Sequence, residues 1–172
     1  MDESTKWHHS SAARHWLEDI RDAQLLGTIG STFSEALSEI KTGEKSSHWM
    51  WYVFPQVPGL GTSGLNRRFA VPSINDATAF LTDSTTGPNF EAILDASIQQ
   101  VELGISLTSL MGHDAQKFVS SVTLFDGVAS HIAHEGISEL AQRALARVNR
   151  DGYGRCEATR HWLAEQGITV KP

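Results

Sequence analysis

Apolar residues recur at three- and four-residue spacing along nearly the whole chain, the period that gathers them on one face of an α-helix. Leu17, Ile20 and Gln24 mark a stripe in a first helix over roughly 11–26, which Gly27 and Gly30 break. Thr32-x-x-Glu35 is a capping-box pattern opening a second helix with Phe33, Leu37 and Ile40 on one face, and Gly43 suits its left-handed end. Ser73-x-x-Asp76 caps a helix of about 74–82 with Ile74, Ala77, Phe80 and Leu81 inward. Pro88 fits the first position of a helix running to about 103. Asp114 fits the cap of the next, in which Phe118, Val122, Phe125 and Ala129 repeat. Ile137, Leu140, Ala141, Ala144, Leu145 and Val148 make the cleanest stripe, and a last helix over about 155–166 turns Trp162 and Leu163 inward. No hairpin turn of the Asn-Gly type and no strand–helix alternation appears. The pattern predicts an all-α fold: a single-domain multihelical bundle of about seven or eight helices around one core, over residues 11–167. Residues 1–10, with His8 and His9, read as a flexible N-terminal arm.

One segment departs from this regularity. Ser46-Ser47-His48-Trp49-Met50-Trp51-Tyr52-Val53-Phe54-Pro55-Gln56 gathers two of the five Trp and one of the two Tyr, then enters the turn-rich stretch Val57 to Gly64. Tyr and Trp carry polar tips that need partners when buried, so the run is either a core anchor or the wall of a pocket. In helical phase His48, Trp51 and Tyr52 fall within about a 100° arc, with Trp49, Met50, Val53 and Phe54 on the other side. A strand would mix the two chemistries on each face, and only Val53 is β-branched. The helical reading therefore assigns Trp49, Met50, Val53 and Phe54 to the core and leaves His48, Trp51, Tyr52 and Gln56 for chemistry. Pro55 closes the element.

Composition narrows the partners. A chain of 172 residues is one domain's worth, enough to bury about 70% of its unfolded surface. A formal charge of −6 with no basic stripe argues against nucleic acid. The longest apolar stretches fall far short of the roughly 20 residues of a membrane span, and the N-terminus has no signal-like apolar region. Cytoplasmic location and a monomeric state are the expectations. The single cysteine, Cys156, excludes an internal disulfide. No motif calls for a cofactor.

Glycines let a backbone approach a ligand closely, and aromatic rings beside them offer a platform for a planar group such as a nucleobase. Lys45, Ser47, Trp51, Tyr52, Gln56, Gly59, Gly61 and Ser63 are the ligand-binding candidates in this segment, with His48 as acid or base. Lys117, Ser120 and Ser121 lie on one helix face, where a lysine and hydroxyls could hold a phosphate or carboxylate; a solvated face has the same pattern. His131-x-x-His134-Glu135 lacks the tighter spacing of helical metal sites, and Gly136 points to a helix boundary, so no metal is expected. Cys156 has no base placed beside it by spacing, and Asp151 to Arg155 reads as a turn.

Gly43 to Gln56, followed by Gly59-Leu60-Gly61 and Ser63, resembles the hallmark of a bacterial family known as domain of unknown function 1810. The likeness continues through Lys117-Phe118-Val119-Ser120-Ser121-Val122-Thr123-Leu124-Phe125 and reaches Asp151 and Thr159, covering roughly 20–163. The resemblance implies a multihelical fold and brings no established activity. Where the family pattern has a tyrosine this chain has Phe69, and where it often has Leu-Gly this chain has Thr86-Gly87, a loss of apolar contact. A more distant likeness is to YbiA-like proteins linked to ADP-ribose chemistry. Three readings stay open at this stage. The segment is a small-molecule site, for a nucleotide or ADP-ribose-like ligand, with hydrolysis or transfer at a glycosidic bond as the reaction class to test. Or it is an aromatic surface that docks a protein partner, or purely a folding anchor.

Overall fold

The computed structural model describes the backbone of residues 5–170 and the side chains of residues 15–170. Among these residues there are helices and connecting loops and no strand. In chain order the helices are α1 (Thr5–Leu26), α2 (Phe33–Thr42), α3 (Met50–Val53), α4 (Gly64–Phe69), α5 (Ile74–Thr82), α6 (Thr86–Glu102), α7 (Leu107–Met111), α8 (Ala115–His131), α9 (Glu135–Asn149) and α10 (Glu157–Glu165). A 3₁₀ turn over Gly112–Asp114 links α7 to α8.

The long stripes behave as their spacing predicts. Both halves of the Thr32–Glu35 capping box form, and Gly43 ends α2 in the left-handed region at φ 94°. Ser73 accepts the N–H of Asp76 to start α5. In α9 Ile137, Ala141, Ala144, Leu145 and Val148 are buried. α8 is buried on every side from Phe118 to Ala129, as befits a helix apolar nearly all round. α9, α10 and α5 pack on it, and α6 packs on α2, α5 and α9. Phe54, Phe80, Phe90, Phe118 and Phe125 interlock at the centre, with ring centroids between 4.8 and 5.8 Å apart. Such spacings suit edge-to-face and offset pairs.

Several boundaries differ from the sequence expectation. α1 already runs from Thr5, while residues 1–4 of the expected arm lie outside the described residues. α6 begins at Thr86, so Pro88 is its third residue. The cause is Asp83, whose Oδ1 accepts the N–H groups of Thr85 and Thr86, each at 3.0 Å, and so starts the helix two residues sooner. Thr86 is fully buried, and its hydroxyl donates to the Phe80 carbonyl at 2.6 Å, a polar contact at the position where the family often has leucine. α4 and α7 are additions, each too short to show a period. The expected helix through the aromatic run shrinks to the single turn α3.

A cavity between helix α1 and the glycine loop

The aromatic segment is organised by a residue outside it. Glu39, on α2, accepts the backbone N–H groups of Ser46 (2.9 Å) and Ser47 (3.1 Å), the Ser47 hydroxyl and the Trp49 indole N–H (2.8 Å). Burial alone would raise its pKa, but these donors outweigh that and hold the carboxyl at about 2. The Ser47 hydroxyl also meets Ser31 Oγ at 2.5 Å. Ser47 is therefore a structural clasp and faces no cavity.

A second clasp lies beside it. Lys45 Nζ donates to the Ser47 carbonyl at 2.6 Å, pairs with Asp114 at 2.8 Å and sits 5.0 Å from the centre of the Trp49 ring. Asp114 uses its other oxygen to hold Lys117 at 2.7 Å. Asp114 stands at the N-cap position of α8, as expected, but makes no side-chain cap bond, its carboxylate being committed to two ammonium groups. Desolvation pushes the Asp114 pKa up, and the hydrogen bonds from Lys117 and Lys45 bring it below its ordinary value. Ser120 is buried within α8, its hydroxyl donating to the Gln116 carbonyl at 2.9 Å, and Ser121 is fully buried. Of this face Lys117 stays partly exposed while Ser120 and Ser121 are buried, and none of the three lines the cavity described below.

Tyr52 also belongs to the core. Its ring is fully buried against Phe69, and its hydroxyl lies 2.6 Å from the Ser31 carbonyl and 3.0 Å from that of His48. Burial pushes its pKa up to about 12. Gly30 is what allows this approach: a Cβ there would stand 1.8 Å from the His48 carbonyl oxygen. The His48 backbone is pinned in this way while its side chain stays exposed, the imidazole nearly parallel to Trp51 at 7° and 6.4 Å between centroids. His48 does not line the cavity described next.

That cavity holds about 570 Å³ between α1, the loop from Gln56 to Gly61 and α4. Of the sequence candidates, Trp51, Gln56, Gly59 and Gly61 line it. Ser63 does not; it caps α4 by accepting the N–H of Asn66 at 3.1 Å. The remaining walls were not legible as a site: His15, Trp16 and Asp19 from α1, and Asn66, Arg67, Arg68 and Phe69 from α4. One signal was present, the Ser63-x-x-Asn66 cap immediately after the loop, which would have marked a helix carrying Arg67 and Arg68.

The charges are unequal in their commitments. Arg68 grips Asp19 through two bonds of 3.0 and 3.2 Å and lies over the Phe69 ring. Trp16 Nε1 donates to the Phe69 carbonyl at 3.2 Å. Arg67 donates to the Thr62 carbonyl and has no carboxylate partner among the described residues. Among the described lining side chains, Asp19 is paired with Arg68, and Arg67 is left without a carboxylate partner. The lining thus sets the half-buried Trp51 ring, the loop backbone at Gly59 and the Arg67 guanidinium around one space.

Other sequence candidates have structural roles. His134 is the N-cap of α9, its Nδ1 accepting the Ile137 N–H at 3.4 Å. Asp151 pairs with Arg147, and Arg155 with the buried Asp126 at 2.5 Å. Cys156 precedes α10, its N–H donating to Thr123 Oγ1.

Among functionally curated proteins nothing matches this chain. Among solved structures it is similar to the conserved hypothetical protein Rv1873 from Mycobacterium tuberculosis, with 28% identity and a TM-score of 0.66. That match covers 88% of this chain and 96% of the other. The family model described as "Protein of unknown function (DUF1810)" matches residues 16–147, a span from Trp16 in the cavity wall to the last turn of α9. The chain belongs to the DUF1810 family.

Proposed function

We propose that the cavity between α1, the glycine loop and α4 binds a small molecule joining a flat ring to an anionic group, of nucleotide or ADP-ribose-like chemistry. The observation that carries this reading is that Trp51 and Arg67 line one cavity of about 570 Å³, a volume within the range of small-molecule sites. Trp51 supplies a half-buried indole wall, and Arg67 offers the planar fork that pairs with phosphate or carboxylate oxygens. Gly59 leaves the loop backbone open to the ligand. His48 stands outside the cavity, so the reading is one of binding, with His15 and Asp19 as the titratable groups inside it. With Trp49 and Tyr52 fully buried, a docking surface would rest on the exposed His48 and the half-buried Trp51 alone.

Calorimetric titration with AMP, NAD and ADP-ribose tests the reading. At least one of them binds the wild type, Arg67→Ala weakens it by about ten- to a hundredfold, as for loss of a charge-assisted pair, and Arg67→Lys recovers part of the loss. Absence of binding by all three, or equal binding by wild type and Arg67→Ala, defeats it.

A further inference from the structure

The indole of Trp51 has something the other tryptophans near it lack: an unanchored N–H. Trp16 Nε1 is tied to the Phe69 carbonyl at 3.2 Å and Trp49 Nε1 to Glu39 at 2.8 Å. Trp51 Nε1 is buried and has no hydrogen-bond partner among the described residues. The backbone beneath it is a single helical turn, α3. The orientation of the ring therefore depends on what rests against it. Beyond the core that it packs on, the ring meets the His48 imidazole, nearly parallel to it, and the Lys117 ammonium, 5.2 Å from its centroid.

Lys117 does not line the cavity, whereas Trp51 does. The ammonium is itself held. Asp114 fixes it at 2.7 Å and, through the other carboxylate oxygen, fixes Lys45 at 2.8 Å. Lys45 is tied back to the Ser47 carbonyl, and its own N–H donates to the Leu110 carbonyl at 2.7 Å. The start of α8 is thereby stapled to the segment that carries Trp51. A cation held against an indole face is attracted by the ring quadrupole, and a partly buried carboxylate between two ammoniums gives that cation a fixed address.

We infer that Lys117, held by Asp114 and Lys45, is a positioning residue for the ligand cavity, setting the orientation of its Trp51 wall from behind. This rests on the reading of the cavity as a ligand site, but the orientation of the indole is observable without any ligand. It joins the two motifs that were separate in the sequence, Gly43 to Gln56 and Lys117 to Phe125, into one device with a cavity on one side and an ion cluster on the other.

Nitrogen-labelled protein gives five indole N–H signals in a proton–nitrogen correlation spectrum, and Trp51→Phe identifies that of Trp51. In ligand-free protein Lys117→Met shifts and broadens the Trp51 signal while the other four stay in place, and Lys117→Arg returns it close to the wild-type position. Should Lys117→Met fail to fold, Asp114→Asn, which frees Lys117 from its partner, is read in the same way. With ADP-ribose as the probe, Lys117→Met raises the dissociation constant about three- to tenfold and Lys117→Arg stays within about twofold, in keeping with loss of one cation–π contact. A Trp51 signal unmoved by Lys117→Met and by Asp114→Asn overturns the inference. A moved signal together with no ADP-ribose binding by any form leaves Lys117 as the residue that orients Trp51 and removes only the choice of ligand.

Discussion

Trp49 and Trp51 stand two residues apart, and the two regions they belong to could hardly differ more. Trp49 is fully buried, its N–H is satisfied by Glu39, and its ring meets Phe54 at 6.4 Å and the Lys45 ammonium at 5.0 Å. Trp51 is half-buried, its N–H has no partner among the described residues, and one part of it faces the cavity. The same side chain serves as anchor in one place and as wall in the other. Hydrogen-bond satisfaction separates the two roles: a group whose polar tip is answered inside the fold holds the fold together, and one left unanswered is available to be positioned.

The largest test of that contrast is a pair of truncations compared by urea unfolding. Trp49→Ala loses about 3–5 kcal/mol, the usual range for a buried aromatic, and also removes one of the four donors to Glu39. Trp51→Ala costs about 1 kcal/mol and leaves a folded protein that no longer binds the cavity ligand. Equal losses for the two would erase the distinction.

A smaller effect comes from the anchor's own acceptor. Glu39→Gln costs about 1–3 kcal/mol near neutral pH, since four donors lose a charged acceptor that is only partly shielded from water. The folded-state pKa of about 2 lies below the ordinary value of 4.5, so the wild type binds fewer protons at this group when folded. Its contribution is complete above about pH 4.5, falls as the solution is acidified and is lost below about pH 2. Stability against pH for wild type and Glu39→Gln converges over that window; parallel curves would remove Glu39 from the account.

The smallest change is aimed at the wall. A Cβ on Gly61 would stand 2.0 Å from Asn66 Nδ2, the end of a flexible side chain that can swing aside. Gly61→Ala therefore stays within about 0.5 kcal/mol of wild type while turning the Asn66 amide within the cavity. Thermal unfolding and a ligand titration on the same sample separate the two effects, with weakened binding and unchanged stability as the expected result.

The long helices were legible because each repeats its apolar period over three or more turns. α4 and α7, with six and five residues, offer too few repeats, so the arginines on α4 gave no sign of facing a site. Tyr52 was misassigned for a related reason. The arc joining His48 to Tyr52 assumes a helix through both, but helical backbone begins only at Met50, and Trp49 sits at φ −151°. With that break, Tyr52 turns into the core while His48 turns out. Glu39 was invisible in another way. It lies near the C-terminus of α2, where the helix dipole disfavours an acid, and its four donors come from a segment seven to ten residues on. Helical phasing did put Trp49, Met50, Val53 and Phe54 on the core side, where all four are buried; Trp51, and Gln56 beyond Pro55, line the cavity.

The single turn of α3 has a consequence for how this protein breathes. Four residues cannot sustain a helix alone, because nucleation alone outweighs the hydrogen bonds so short a piece can form. The amides of Val53 and Phe54, bonded to the Trp49 and Met50 carbonyls, are kept in place by the packing of the whole domain. We expect their hydrogens to exchange with solvent as slowly as the most protected amides of α8, which native-state hydrogen exchange checks. On that expectation the back of the cavity does not loosen piecemeal. Any adjustment to a visitor falls to the glycine loop and the Trp51 ring in front of it.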